Sequence, residues 1–152
     1  MNPAFTHLDE KQIFGLTLCR EAGGEPVPEG QIAVGTVILE RVDHRDWDGT
    51  TVREVCLWRR QFSCYNEFDK GYGKTLHMAE TWDACIAVDF SLMNCYSLAV
   101  SMLSGVVPRH PILAAAHCCQ YLNPKWAPET RAKWLAAGMK VILKVGGHEF
   151  FA

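Results

Sequence analysis

The sequence predicts an α+β fold that is mostly helical and carries one small β-hairpin late in the chain. Three observations lead there. Apolar residues recur at helical spacing through the first two thirds of the sequence, and helix start and stop signals bracket those stripes. Near the end, Lys140 to Val145 and His148 to Phe151 flank Gly146-Gly147, the pattern of two strands joined by a two-residue turn. A chain of 152 residues fits one compact domain, 1–152, large enough to bury about two thirds of its unfolded surface.

Taken in order, the first helix runs from Leu8 to Cys19 and beyond, with Leu8, Ile13, Phe14, Leu16, Thr17 and Leu18 near helical spacing and Asp9 and Glu10 suited to its first turn. Glu21 falls on its last turn. Gly23 and Gly24 then offer the positive-φ residues that helix ends favour. A second helix is predicted from Pro28 to about Val42, since Pro suits the first helical position and Ile32, Gly35, Ile38, Leu39 and Val42 form an inward stripe. Gly35 would let a neighbour approach closely. Residues 43–49 read as a loop, after which Thr51 caps a short helix from Val52 to Leu57. Arg60 to Lys74 reads as an irregular surface region. Helices follow at Leu76–Val88 and Ser91–Leu103, the second ending at Gly105 before Pro108 and Pro111. Ile112–His117 is an apolar run predicted to be extended, Asn123–Pro128 a loop, and Lys133–Ala137 a short helix.

Composition narrows the function. Hydrophobic residues make up 49% and charged residues 21%, ordinary values for a folded domain. A formal charge of −2 argues against nucleic-acid binding, which needs a basic patch. No apolar run of about 18 residues is present to span a membrane, so no stable membrane insertion is expected. The first residues lack the basic and apolar regions of a signal peptide. Seven cysteines, an odd number without C-x-x-C spacing, favour free thiols in a reducing cytosol over a disulfide framework.

Three constellations carry possible chemistry. Glu21, beside apolar side chains at a helix end, reads equally as a general acid whose pKa burial would raise and as an exposed helix-end residue, while Glu25 reads better as a turn acid or N-terminal partner of the next helix than as a second catalytic carboxylate. Gln61, Phe62, Ser63, Tyr65 and Asn66, with His117, Tyr121, Asn123 and Trp126, mix aromatic faces with amides and hydroxyls, as sugar-binding grooves do; core packing is the simpler account of Phe62 and Trp126. His117-Cys118-Cys119 with His110 or His148 gives a weak zinc pattern, and Cys64 with His117 a weak thiol dyad; buried structural thiols explain both better.

Beyond these readings, the chain resembles the SleB-type cell wall hydrolases, the family of spore cortex-lytic enzymes and related bacterial and phage wall lysins. Glu21-Ala22-Gly23-Gly24-Glu25-Pro26 is similar to the family's E-A-x-G-E signature, and Gly30 to Val42 to its G-Q-x-x-V helix ending in N-R-V. Gln61-Phe62-Ser63 resembles the Q-F-S element. Ala116-His117, with Tyr121, Asn123-Pro124 and Trp126, is similar to the A-T-H-Y segment, and Gly146 to Phe151 to the closing I-G-x-H-x-F-Y strand. Departures are Pro28, which adds a residue before Gly30-Gln31, Glu40 in place of the usual Asn, and Ala116 and Cys118 in place of Thr and Tyr.

The resemblance implies a lysozyme-like fold related to goose lysozyme and the lytic transglycosylases. It also implies cleavage of the N-acetylmuramic acid to N-acetylglucosamine bond of peptidoglycan. Glu21 matches the family's catalytic acid, with Glu25 in support. Gln31, Ser63, His117, Tyr121 and Trp126 are expected groove contacts. No metal or cofactor is expected, and the partner is the peptidoglycan glycan strand, met by a monomer. Lytic transglycosylation, which needs one carboxyl group, is favoured over hydrolysis by a muramidase, a thiol amidase or peptidase, and a non-catalytic wall-binding module. A phage endolysin held in the host cytoplasm before release to the wall is the expected setting.

Overall fold

In the computed structural model, residues 3–25, 28–45 and 49–152 are described. Pro26 of the signature and Asp46-Trp47-Asp48 of the expected loop lie outside them. The described residues form eight α-helices and three β-strands, with short 3-10 turns at Pro3–Phe5 and Ser63–Tyr65.

Helix α1 (Glu10–Ala22) starts at Asp9, whose carboxylate accepts from the Gln12 backbone while the Gln12 side chain accepts from the Asp9 backbone. This reciprocal capping satisfies donors that a helix start leaves open. The other end departs from expectation. Gly23 caps the helix at φ −65, and neither Gly23 nor Gly24 is left-handed. The Gly23 N–H instead continues the ladder onto the Cys19 carbonyl, which carries Glu21 on a fully formed last turn.

Helix α2 (Pro28–His44) buries residues nearly all round, from Gly30 through Arg41. Gly35 allows the close approach expected of it: a Cβ there would stand 2.7 Å from Met102 Sδ. Helix α3 (Val52–Leu57) begins at Thr51, whose side chain accepts from the Glu54 backbone N–H. The next segment is irregular up to Gly71, but it is no mere surface loop, since Phe62, Cys64 and Tyr65 all enter the core. The helix expected over Leu76–Val88 is two, α4 (Tyr72–Glu80) and α5 (Trp82–Val88), broken at Thr81. The Thr81 hydroxyl bonds the His77 carbonyl, the kind of local competition that interrupts helices. Helix α6 (Phe90–Leu103) follows, capped by Asp89, and packs along α1.

The run expected to be extended is helix α7 (Pro111–Ala115). Pro111 at its start and the alanines behind it favour a helical turn, and a short apolar run carries no period to tell the two apart. Strand β1 (Gln120–Leu122) was not anticipated. It is followed by α8 (Pro128–Ala136), longer than expected, and by β2 (Val141–Val145) and β3 (His148–Phe151). The hairpin forms as predicted on Gly146-Gly147, with Gly146 at φ +54. The three strands are antiparallel in the order β1-β3-β2, and Tyr121 stands opposite Phe150. All seven cysteines are free thiols. No single helix among the described residues is long and apolar enough to cross a membrane; α5 and α6 reach that length only together, bent by 104°.

Candidate active site

Glu21 projects from the last turn of α1 toward β1, where Tyr121 Oη donates to its Oε2 at 3.0 Å. The sheet register fixes that hydroxyl, because β1 is held on β3 and the Tyr121 ring stacks on Phe150 at 5.6 Å. Burial pushes the Glu21 carboxyl pKa above its ordinary range, and the charge of Asp69 pushes the same way. The Tyr121 hydroxyl, the Arg41 guanidinium and the Cys64 thiol oppose that rise without cancelling it. A carboxyl group so placed holds its proton longer than an exposed one and can hand it to an acceptor inside the site.

Arg41 is the residue that residue-by-residue reading missed. It is 3% exposed on α2, within 5.5 Å of the Phe62 ring and 6.0 Å of the Tyr121 ring. Its Nε donates to the Cys119 carbonyl at 2.8 Å. With its amide oriented to present oxygen, Gln61 accepts from both Arg41 terminal nitrogens at 2.5 and 3.0 Å. The signal was an arginine on the apolar face of a helix, which needs a buried partner. Asp69 was also missed. Its carboxylate accepts from the Gly71 N–H at 2.8 Å, so the irregular segment presents it in a fixed turn.

Glu25 bonds across to the hairpin. Its Oε1 accepts from the Gly147 N–H at 3.1 Å and lies 3.2 Å from His148 Nδ1. A Cβ on Gly146 would overlap this carboxylate, which gives the glycine pair a second reason to be there. Burial pushes the His148 pKa down, and Glu25 partly restores it. Gln31 is half-buried and donates to the Ala22 carbonyl at 3.4 Å, tying α2 to the end of α1. Ser63 is exposed on the short 3-10 turn beside Cys64. Trp126 is 76% exposed, with Lys125 Nζ 5.0 Å from its ring centre. His117 is elsewhere: its Nδ1 lies 3.2 Å from Glu40 Oε2 and its ring packs on His44.

Neither weak alternative assembles. Burial pushes the Cys64 thiol well above its ordinary range, the wrong direction for a nucleophile, and the charge of Glu21 adds to it. His117 faces Glu40 rather than serving as its base. Cys118 donates to the Gln120 and Phe151 carbonyls, while His110 faces Glu29 and His148 faces Glu25, so that zinc pattern scatters.

The sequence profile of the cell wall hydrolases matches residues 24–151, starting just after Glu21. Two solved structures are similar over most of the chain. The catalytic domain of the germination-specific lytic transglycosylase SleB from Bacillus anthracis has a TM-score of 0.62 and 22% identity, with 94% of this chain and 93% of that one covered. The catalytic domain of the Bacillus cereus SleB protein has a TM-score of 0.58 and 23% identity, covering 94% and 89%. These likenesses give the fold, which is that of the SleB catalytic domains. No curated sequence matches the chain.

Proposed function

The chain belongs to the cell wall hydrolase family, and on that premise we propose that it cleaves the β-1,4 bond between N-acetylmuramic acid and N-acetylglucosamine in peptidoglycan as a lytic transglycosylase. The observation that carries the reading is Glu21, a carboxyl group whose pKa burial raises and which the Tyr121 hydroxyl aims. Glu21 gives its proton to the glycosidic oxygen as the bond to the muramic C1 breaks. Positive charge develops on the sugar, and the carboxylate left behind stabilises it at close range. The muramic 6-hydroxyl then bonds to C1, and its proton returns to Glu21. Bonds and protons balance without water, and the product is a 1,6-anhydro ring.

Tyr121 and Arg41 set the position and acidity of Glu21, and Glu25 holds the loop behind it against the hairpin. The exposed Trp126 ring offers a stacking face for a sugar, and Ser63 a rim hydroxyl. Gln31, half-buried and donating to the Ala22 carbonyl, supports the α1 end and is offered as a groove contact beside Glu21.

A hydrolytic muramidase is the second reading, favoured by Asp69, a carboxylate close enough to act on Glu21. Such an enzyme would use Asp69 to orient a water. Mass spectrometry of digested wall separates the two. Anhydro-muramic ends that persist in Asp69→Asn support transglycosylation; reducing ends that vanish in Asp69→Asn would replace it with hydrolysis. In either case Glu21→Gln is expected to abolish wall lysis, and a lytic Glu21→Gln enzyme would sink both.

A further inference from the structure

Glu40 occupies a position where a buried carboxylate is hard to explain by packing. It is 2% exposed near the end of α2, and Arg109 Nη1 bonds its Oε1 at 2.6 Å. Its other oxygen faces two imidazoles: His44 Nε2 at 3.3 Å, one turn along the same helix, and His117 Nδ1 at 3.2 Å from the turn that leads into β1. The three ligand atoms lie within 4.8 Å of one another. His117 holds its backbone at φ +46, a region that residues other than glycine rarely enter, and in that conformation its ring faces Glu40.

We propose that Glu40, His44 and His117 bind a divalent transition-metal ion of the zinc class. Around a tetrahedral ion with bonds of about 2.0–2.1 Å, neighbouring ligand atoms stand roughly 3.3 Å apart. The two separations from Glu40 Oε2 match that edge. Two imidazole nitrogens and one carboxylate oxygen suit zinc, cobalt, nickel or copper and do not suit magnesium or calcium, which take oxygen. Arg109 supplies the outer partner that orients a ligating carboxylate, and Asp43, 2.6 Å from Arg109 Nη2, offsets its charge. Both histidines are exposed, at 42% and 64%, so the fourth position opens to solvent. The ion would staple α2 to the turn before β1, the strand that carries Tyr121.

The site is tested on the full chain, stripped with a chelator, by titrating cobalt(II) and reading its visible absorption. One equivalent is expected to give a band that zinc removes and that persists after thiol alkylation. His44→Ala and His117→Ala, both at exposed positions, are each expected to weaken binding by at least about 100-fold, the upper end of what losing an outer-shell partner costs. Zinc is also expected to raise the unfolding temperature of the parent chain and not of the double variant. Absence of a one-equivalent band, a band undiminished in the double variant, or one abolished by alkylation would overturn the proposal and leave the two histidines as hydrogen-bond partners of Glu40.

Discussion

Glu21 and Glu40 are shielded carboxylates on adjacent helices, and their company differs in kind. Glu40 has an arginine on one oxygen and two imidazoles on the other. Glu21 has a phenol and a thiol, the opposing pull of Asp69, and Arg41 acting at longer range. The residue next to Glu40 in the chain, Arg41, turns to the Glu21 side, so consecutive positions on α2 serve the two regions. The contrast teaches what separates an anchor from a reagent. Charged and imidazole partners pin the Glu40 carboxylate in place, whereas burial, only partly offset by the phenol and the thiol, pushes the Glu21 pKa up and leaves it a proton to give.

The largest effect expected of this contrast is at Glu21. Glu21→Gln keeps the shape and the Tyr121 contact and should lower wall-lytic turnover by about 10³-fold or more, within the range for a general acid. Stability should move the other way. Because the folded-state pKa is raised, ionising Glu21 costs the native state more the further pH rises above the ordinary carboxylate pKa, until the folded pKa is passed. Glu21→Gln should therefore unfold at a higher temperature than the parent at neutral pH and at the same temperature in acid. A variant less stable at neutral pH would show that Glu21 is an anchor too.

Arg109→Ala tests the other side. It strips the cation from a carboxylate that is 2% exposed, and should cost about 2 kcal/mol by urea unfolding, below the full penalty for a broken buried pair because Arg109 is itself partly exposed. The same truncation should leave the pH dependence of lysis in place. Loss of lysis without loss of stability would mean that the two regions are coupled through α2.

Tyr121→Phe should act on rate more than on stability. The phenol stabilises the Glu21 anion, so removing it raises the pKa further. The high-pH limb of activity, set by loss of the Glu21 proton, should move up, with turnover falling roughly tenfold, the cost of one hydrogen bond to a charged group. A limb that stays in place would assign it to another group.

These two regions were not equally legible in the sequence. Glu21 could be found because a long apolar period led into it and the E-A-x-G-E pattern marked it, although the helix ends on a right-handed Gly23 rather than the left-handed one expected. The hairpin was visible for a similar reason, since a glycine pair between alternating strands admits few other readings. Strand β1 was not, because a segment the length of Gln120–Leu122 has no period of its own and exists only by pairing with β3. With β1 hidden, nothing placed Tyr121 opposite Glu21. Asp69 was hidden, a single loop residue meeting Glu21 from far along the chain, and the Glu40 cluster was half hidden: Glu40 and His44 share a helix face at i,i+4, but Arg109 and His117 reach it from distant segments with no spacing to announce them. His117 stood out as a candidate ligand, but its partners proved to be Glu40 and His44 rather than the cysteines beside it.

Glu25 is the finest test of the contrast, because it stands four residues from Glu21 and could act on it either by charge or by holding its loop. Its bonds favour the second, since its Oε1 takes the Gly147 N–H and faces His148 across the turn between β2 and β3. Glu25→Ala loses both contacts and should cost on the order of 1–2 kcal/mol. Glu25→Gln keeps an acceptor for Gly147 and should cost less. It also removes the charge that supports protonation of His148, so the His148 pKa, already lowered by burial, should fall further when followed by NMR. The discriminating measurement is the pH profile of lysis in Glu25→Gln. If Glu25 is a clamp, the limb set by Glu21 stays where it is; if like charge tunes Glu21, removing that charge shifts the limb to lower pH.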